Sequence, residues 1–146
     1  MSNAFFEVPV PINEPIKDYI DGSQEKKELL DTISSMKKNI VDIPMIIGGE
    51  EIRTRNKINI QCPHNHHLNL GTFSEGDSTH VNMSIDAAIN AKKEWSSMPW
   101  QSRASIFLKA AELIAGPYRS KINASTMLGQ SKNVFQAEVD AACEFI

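Results

Sequence analysis

From Thr79 to Ile146 the apolar residues recur at three- and four-residue spacing, and proline or glycine cuts the run at Pro99, Gly116-Pro117 and Gly129. That period puts the apolar side chains of each segment on one helix face, which must be covered by something. The second half of the chain is therefore committed to a series of helices. Val81, Ile85, Ala88 and Trp95 form the first stripe, and Arg103, Ile106, Phe107, Ala110, Leu113 and Ile114 the second, ended by Gly116-Pro117. A shorter helix runs from Tyr118 through Ile122, Ser125 and Leu128 to the break at Gly129. With Ser131 as N-cap, a last helix would bury Val134, Ala137, Ala141, Ala142 and Phe145. It reaches Ile146 without a Gly or Asn cap and without Lys or Arg in its last turn, so the chain is expected to continue past a truncated, mid-helix end.

The first half reads differently. Residues 1 to 22 carry prolines at 9, 11 and 15, which remove backbone donors and disfavour helix, so they are expected to form an extended arm over the surface. Gly22-Ser23 opens a helix with Glu25 and Glu28 in its first turns and Lys37 and Lys38 in its last, both favourable to the helix dipole. Leu29, Ile33, Met36 and Ile40 give it an apolar edge. After Pro44, Met45-Ile46-Ile47, the turn Gly48-Gly49 and EEIRTRNKINIQCP read as a strand, a tight turn and one long second strand, with Ile52, Thr54, Asn56, Ile58 and Ile60 on one side. A third strand is expected over His67 to Phe73, closed by the turn residues EGDS. The expected class is α+β: about five helices with a β-hairpin or short antiparallel sheet.

Composition narrows function mainly by exclusion. With 41% apolar and 23% charged residues in 146, the chain lies in the globular range and can bury a modest core. The net charge of −3, with basic residues spread along the chain, argues against a nucleic-acid footprint. No apolar run approaches a membrane span. Cys62 and Cys143 stand far apart with no CxxC, which points to a reducing interior rather than a disulfide framework. The opening MSNAFFEVPVPINEP has no basic or continuous apolar stretch of the kind that directs export and is not arginine-rich, so the cytoplasm is the expected compartment.

Candidate chemistry is sparse. Cys62-Pro63-His64-Asn65-His66-His67 has zinc-type ligands but no second cluster to complete a tetrahedral set, since His80 and Cys143 are single and distant, so it is expected to be a solvated turn holding no metal. Cys62 and His64 lack the third orienting group and oxyanion hole of a nucleophilic dyad. Gly48-Gly49 and Gly129-Gln130-Ser131-Lys132 match neither GxGxxG nor GxxxxGK[ST]. Among the carboxylates of the last helix, Glu138, Asp140 and Glu144, the last falls near the apolar face containing Ala137 and Ala141, whereas a solvent-facing charge would lie opposite. A helix-surface charge is the competing reading.

QAEVDAA, the TMLGQSK that leads to it, and the RASIFLKAAELI helix resemble, in order and spacing, the N-terminal part of the aldehyde dehydrogenase family, in its 1-pyrroline-5-carboxylate dehydrogenase branch. The resemblance runs from about Asn13 to Ile146. It implies that residues 23 to 146 begin the NAD-binding domain of an α/β enzyme that oxidises L-glutamate γ-semialdehyde to L-glutamate in proline breakdown, and that the whole enzyme is a homo-oligomer. It also implies that the nucleophilic cysteine, the general-base glutamate, the oxyanion-stabilising asparagine and the nucleotide-binding βαβ unit come later. This chain is then expected to hold no catalytic and no cofactor-binding residue, to bind no NAD alone, and to self-associate through uncovered apolar helix faces. The one site residue carried over is Glu144, which the resemblance places beside the aldehyde pocket. A free-standing helical interaction module and a small metal-binding protein remain open alternatives.

Overall fold

The computed structural model describes residues 5, 7 and 9–146; the rest of the expected arm lies outside the described residues. From residue 9 to 20 the backbone forms neither helix nor strand. Ser23 then caps α1 (Gln24–Lys38), its side chain accepting from the Lys26 N–H, with Glu25 in the first turn and Lys37 and Lys38 in the last. Leu29 is buried, and Ile33 and Met36 pack beside it; Ile40 falls beyond the helix end and is exposed.

Two small sheets follow. β2 (Met45–Ile47) and β3 (Glu50–Ile52) form an antiparallel hairpin across Gly48-Gly49, both at positive φ, as a two-residue turn that follows strand twist requires. The long second strand expected after this turn is two strands. At 53–56 the chain leaves the ladder, with the Thr54 hydroxyl 2.8 Å from the Asn56 carbonyl oxygen and 2.9 Å from that of Glu75, and β4 (Lys57–Cys62) joins a different sheet. There it pairs antiparallel with β5 (Asn65–Ser74), whose other edge takes β1 (Val41–Ile43) in parallel, so the sheet is mixed.

β1 was not foreseen, and Gly71 explains how it fits. A Cβ at Gly71 would lie 2.5 Å from the Val41 carbonyl oxygen and 2.6 Å from its Cγ2, so only glycine lets β1 approach. Gly71→Ala is expected to displace β1 and cost about 1–3 kcal/mol, the usual range for overpacking, read as a lower urea midpoint with loss of amide protection at 41–43.

The helices α2 (Ser78–Ser97), α3 (Trp100–Ala115) and α4 (Arg119–Gln130) fall where the spacing placed them, and α5 (Val134–Ala137) is a single turn within the expected last helix. The core joins Tyr19, Leu29 and Ala124 with Met127 and Val134, so it lies between the arm, α1 and α4. On α4 the buried face is Arg119, Asn123, Ala124 and Leu128, turned away from the expected Ile122 and Ser125. The stripes of α2 and α3 contain no buried residue; Val81, Ile85, Ile106 and Phe107 are exposed, Phe107 at 66%.

The end of the chain departs most from the expected helix. Ser131 is the left-handed C-cap of α4, and Asn133 is the N-cap of α5, in a reciprocal capping pair with Gln136. After one α turn the backbone widens into a π turn (Glu138–Ala142) and closes in a 3₁₀ turn (Cys143–Phe145). A π turn brings residue i under i+5, so Ala137 and Ala142 are both completely buried. Phe145, expected to be buried, is 71% exposed because no described residue covers the last turn.

Candidate functional site

Glu138 is 0% exposed and opens the π turn. A carboxylate so placed has to be compensated, and this one is surrounded by donors. Its Oε1 accepts from the Lys17 N–H at 2.9 Å and from Arg119 Nε at 3.1 Å. Its Oε2 accepts from the Tyr19 hydroxyl and from Asn123 Nδ2, each at 2.7 Å. Arg119 and Asn123 come from one face of α4, one helical turn apart, and Lys17 and Tyr19 from the arm.

Arg119 joins these parts. Its Nη2 donates to Glu138, to the Pro15 carbonyl at 2.8 Å and to Cys143 Sγ at 3.5 Å, while Nη1 pairs with Glu14. One guanidinium therefore grips the arm, the π turn and the 3₁₀ turn, as its planar fork of donors permits. Burial pushes the Glu138 carboxyl up, but the bonds from Arg119, Tyr19, Lys17 and Asn123 outweigh it and hold it at about 2. Burial works against the charge of Arg119 too, and its bonds to Glu138 and Glu14 more than offset this, raising it above its ordinary value. The Tyr19 phenol is pushed up to about 12 by burial and then by Glu138. Burial and the Glu138 charge also raise the Cys143 thiol, the opposite of what an activated nucleophile needs.

Glu144 follows directly on Cys143. It is exposed, in the 3₁₀ turn, and no hydrogen bond or ion pair to it is found among the described residues. The sequence singled out Glu144; the buried carboxylate is Glu138.

The structure also brings Cys62 and His64 together. Sγ lies 3.3 Å from Nε2 and 3.5 Å from Nδ1, near-equal distances that describe packing against the ring rather than an aimed bond, and Nδ1 lies 2.9 Å from Ser131 Oγ. Cys62 is completely buried, so no substrate carbonyl reaches its sulfur. The cluster pins the β4–β5 tip to the end of α4. No group of three or more His, Cys, Asp or Glu side chains is placed to hold a metal among the described residues.

The single strand-to-helix passage among the described residues, β5 to α2, has Gly76, but the helix N-terminus is already occupied by the Asp77 carboxylate, which accepts from Thr79 and His80 N–H at 2.9 and 3.2 Å. A negative group stands where a phosphate would bind.

The aldehyde dehydrogenase family model matches residues 51–146, and the chain belongs to that family. Within it, the chain is 45% identical over 142 residues to the delta-1-pyrroline-5-carboxylate dehydrogenase of Agaricus bisporus, covering 97% of this chain and 26% of that protein. It is 41% identical to the human delta-1-pyrroline-5-carboxylate dehydrogenase, named as mitochondrial, over 92% of this chain and 24% of that one. The crystal structure of the Mycobacterium tuberculosis enzyme bound with NAD and cobalamin superposes with a TM-score of 0.95 at 42% identity, covering 99% of this chain and 27% of that one. The chain thus spans about a quarter of the length of these relatives.

Proposed function

We propose that this chain is the opening quarter of an NAD-dependent dehydrogenase that oxidises L-glutamate γ-semialdehyde, the open form of 1-pyrroline-5-carboxylate, to L-glutamate, and that it contributes scaffold and one wall of the aldehyde pocket but none of the chemistry. The observation carrying this reading is the likeness to pyrroline-5-carboxylate dehydrogenases over nearly every residue, at 42% identity and a TM-score of 0.95. In net terms the aldehyde and water become a carboxylate, NAD takes the hydride and two protons are released. The nucleophilic cysteine, the general base and the nucleotide site belong, on this reading, to the three quarters of the relatives' length that the chain does not span. Glu144 is the residue proposed to face the aldehyde pocket; its carboxylate is exposed and engages no partner among the described residues.

The test is an assay of the polypeptide that carries this segment together with the remaining length of such an enzyme. Absorbance of the reduced nicotinamide should rise when 1-pyrroline-5-carboxylate and NAD are both present. No rise with that substrate, against turnover of another aldehyde, would contradict the proposed substrate.

Two finer readings accompany it. The free cysteines and the absence, among the described residues, of a helix long and apolar enough to cross a membrane fit the cytoplasm, while the relatives named as mitochondrial make the matrix the alternative. The whole enzyme is proposed to be a homo-oligomer, and the isolated chain to self-associate through its uncovered helix faces. Ala137 and Ala141 are covered internally; the exposed apolar faces are those of Val81, Ile85 and Ile89 on α2 and of Ile106, Phe107 and Leu108 on α3, with Phe145 in the last turn. Burying apolar surface returns roughly 25 cal/mol per Å², so a second copy is the nearest cover at high concentration. Sedimentation over a hundredfold concentration range is expected to show a rising average mass; a constant monomer mass would remove this reading.

A further inference from the structure

We propose that residues 14–19 act as a strap that, working through Arg119 and Glu138, positions the closing π and 3₁₀ turns and with them Glu144; the inference rests on the reading of Glu144 as a wall of the aldehyde pocket. Three observations carry it. The strap is held at four points: the Glu14 carboxylate and the Pro15 carbonyl on Arg119, and the Lys17 N–H and the Tyr19 hydroxyl on Glu138. Arg119 reaches past Glu138 to Cys143, the residue before Glu144, so the same guanidinium touches the first residue of the π turn and the first residue of the 3₁₀ turn. Tyr19 adopts φ +52°, a left-handed conformation unfavourable to a non-glycine residue that persists where the surroundings dictate it.

The physical logic is local. A π turn is less favourable than the α-helix it interrupts, and a short one at the end of a four-residue helix has little else to hold it. Here its first residue is fixed by a fully engaged buried carboxylate and its successor turn by the Arg119 contact with Cys143. Glu138 and Arg119 are therefore positioning residues, and the strap completes their shell. Substituting a strap residue leaves the Arg119–Glu138 pair in place but removes one of its external supports, which separates positioning from simple loss of the buried pair.

Two variants, Tyr19→Phe and Glu14→Ala, make the test. In this chain, hydrogen exchange should accelerate on the order of tenfold across 139–146, the change that a lost hydrogen bond of about 1–1.5 kcal/mol produces, while amides of α1 stay protected. In the complete dehydrogenase the same variants should raise KM for the semialdehyde several-fold and leave KM for NAD unchanged. Unchanged exchange across 139–146 in both variants would overturn the strap. Faster exchange with an unaltered semialdehyde KM would also overturn it as a positioning device. The pocket reading fails separately, if Glu144→Ala leaves semialdehyde kinetics untouched while the strap variants still raise KM.

Discussion

Replacing Glu138 by alanine is expected to destabilise this chain by about 3–5 kcal/mol, the range found when one partner of a buried ion pair is removed and the other is left uncompensated. The loss is large because four groups depend on that carboxylate: the Arg119 guanidinium, the Tyr19 hydroxyl, the Asn123 amide and the Lys17 N–H. A domain of this size has only about 5–15 kcal/mol in total, so the variant should sit near the edge of folding. Glu138→Gln keeps the shape and one acceptor oxygen and should lose less. The pH dependence has a definite sign. The Glu138 carboxyl titrates at about 2 in the folded chain, below its ordinary 4.5, so its contribution is complete above pH 4.5 and is lost as pH falls through about 2. Urea midpoints of the wild type and of Glu138→Gln should therefore differ most at neutral pH and converge on acidification. A gap that stays constant from pH 7 to pH 2 would show that the carboxylate charge contributes nothing. Tyr19 acts at the other end: its neutral form is favoured, so its contribution holds below pH 10 and is lost as pH rises through about 12.

In the proposed complete dehydrogenase, Glu144→Ala should lower kcat/KM for the semialdehyde about ten- to a hundredfold, the equivalent of one charge-assisted hydrogen bond of about 1.5–3 kcal/mol, with NAD affinity unchanged. That pattern is the signature of a group lining only the aldehyde side of the site. Unchanged kinetics would return Glu144 to an ordinary surface carboxylate. A fall in the unfolding midpoint without a selective effect on the semialdehyde would assign it to folding.

What could be read from the sequence was whatever is decided within a few residues. Ser23 caps α1 through a bond to the N–H of Lys26, and Glu25, Lys37 and Lys38 act on the dipole of the helix that contains them. Gly48-Gly49 marks its own turn because only that pair takes positive φ at both positions without cost. β1 is three residues long, and its partner lies thirty residues on, admitted by a glycine whose role is visible only once the strands meet. The break at 53–56 brings Thr54 to the distant Glu75. Glu138 hid for the same reason. In isolation it looks like any carboxylate on an exposed helix face, and its partner Tyr19 is 119 residues away. The one local clue was the pairing of Arg119 with Asn123 at i and i+4, two polar groups on the face that α4 would otherwise fill with apolar residues. The π turn could not be foreseen from an α-helical period, which is why Phe145 was expected inside.

The chain belongs to the aldehyde dehydrogenase family, and the central proposal is that it carries scaffold and pocket wall without the nucleotide site. Titration calorimetry of the 146-residue chain with millimolar NAD tests it most directly, since the Asp77 carboxylate already occupies the N-terminus of α2 and no glycine-rich phosphate loop stands elsewhere among the described residues. Heats of dilution alone are the expected result; a saturable isotherm with about one NAD per chain would contradict the account.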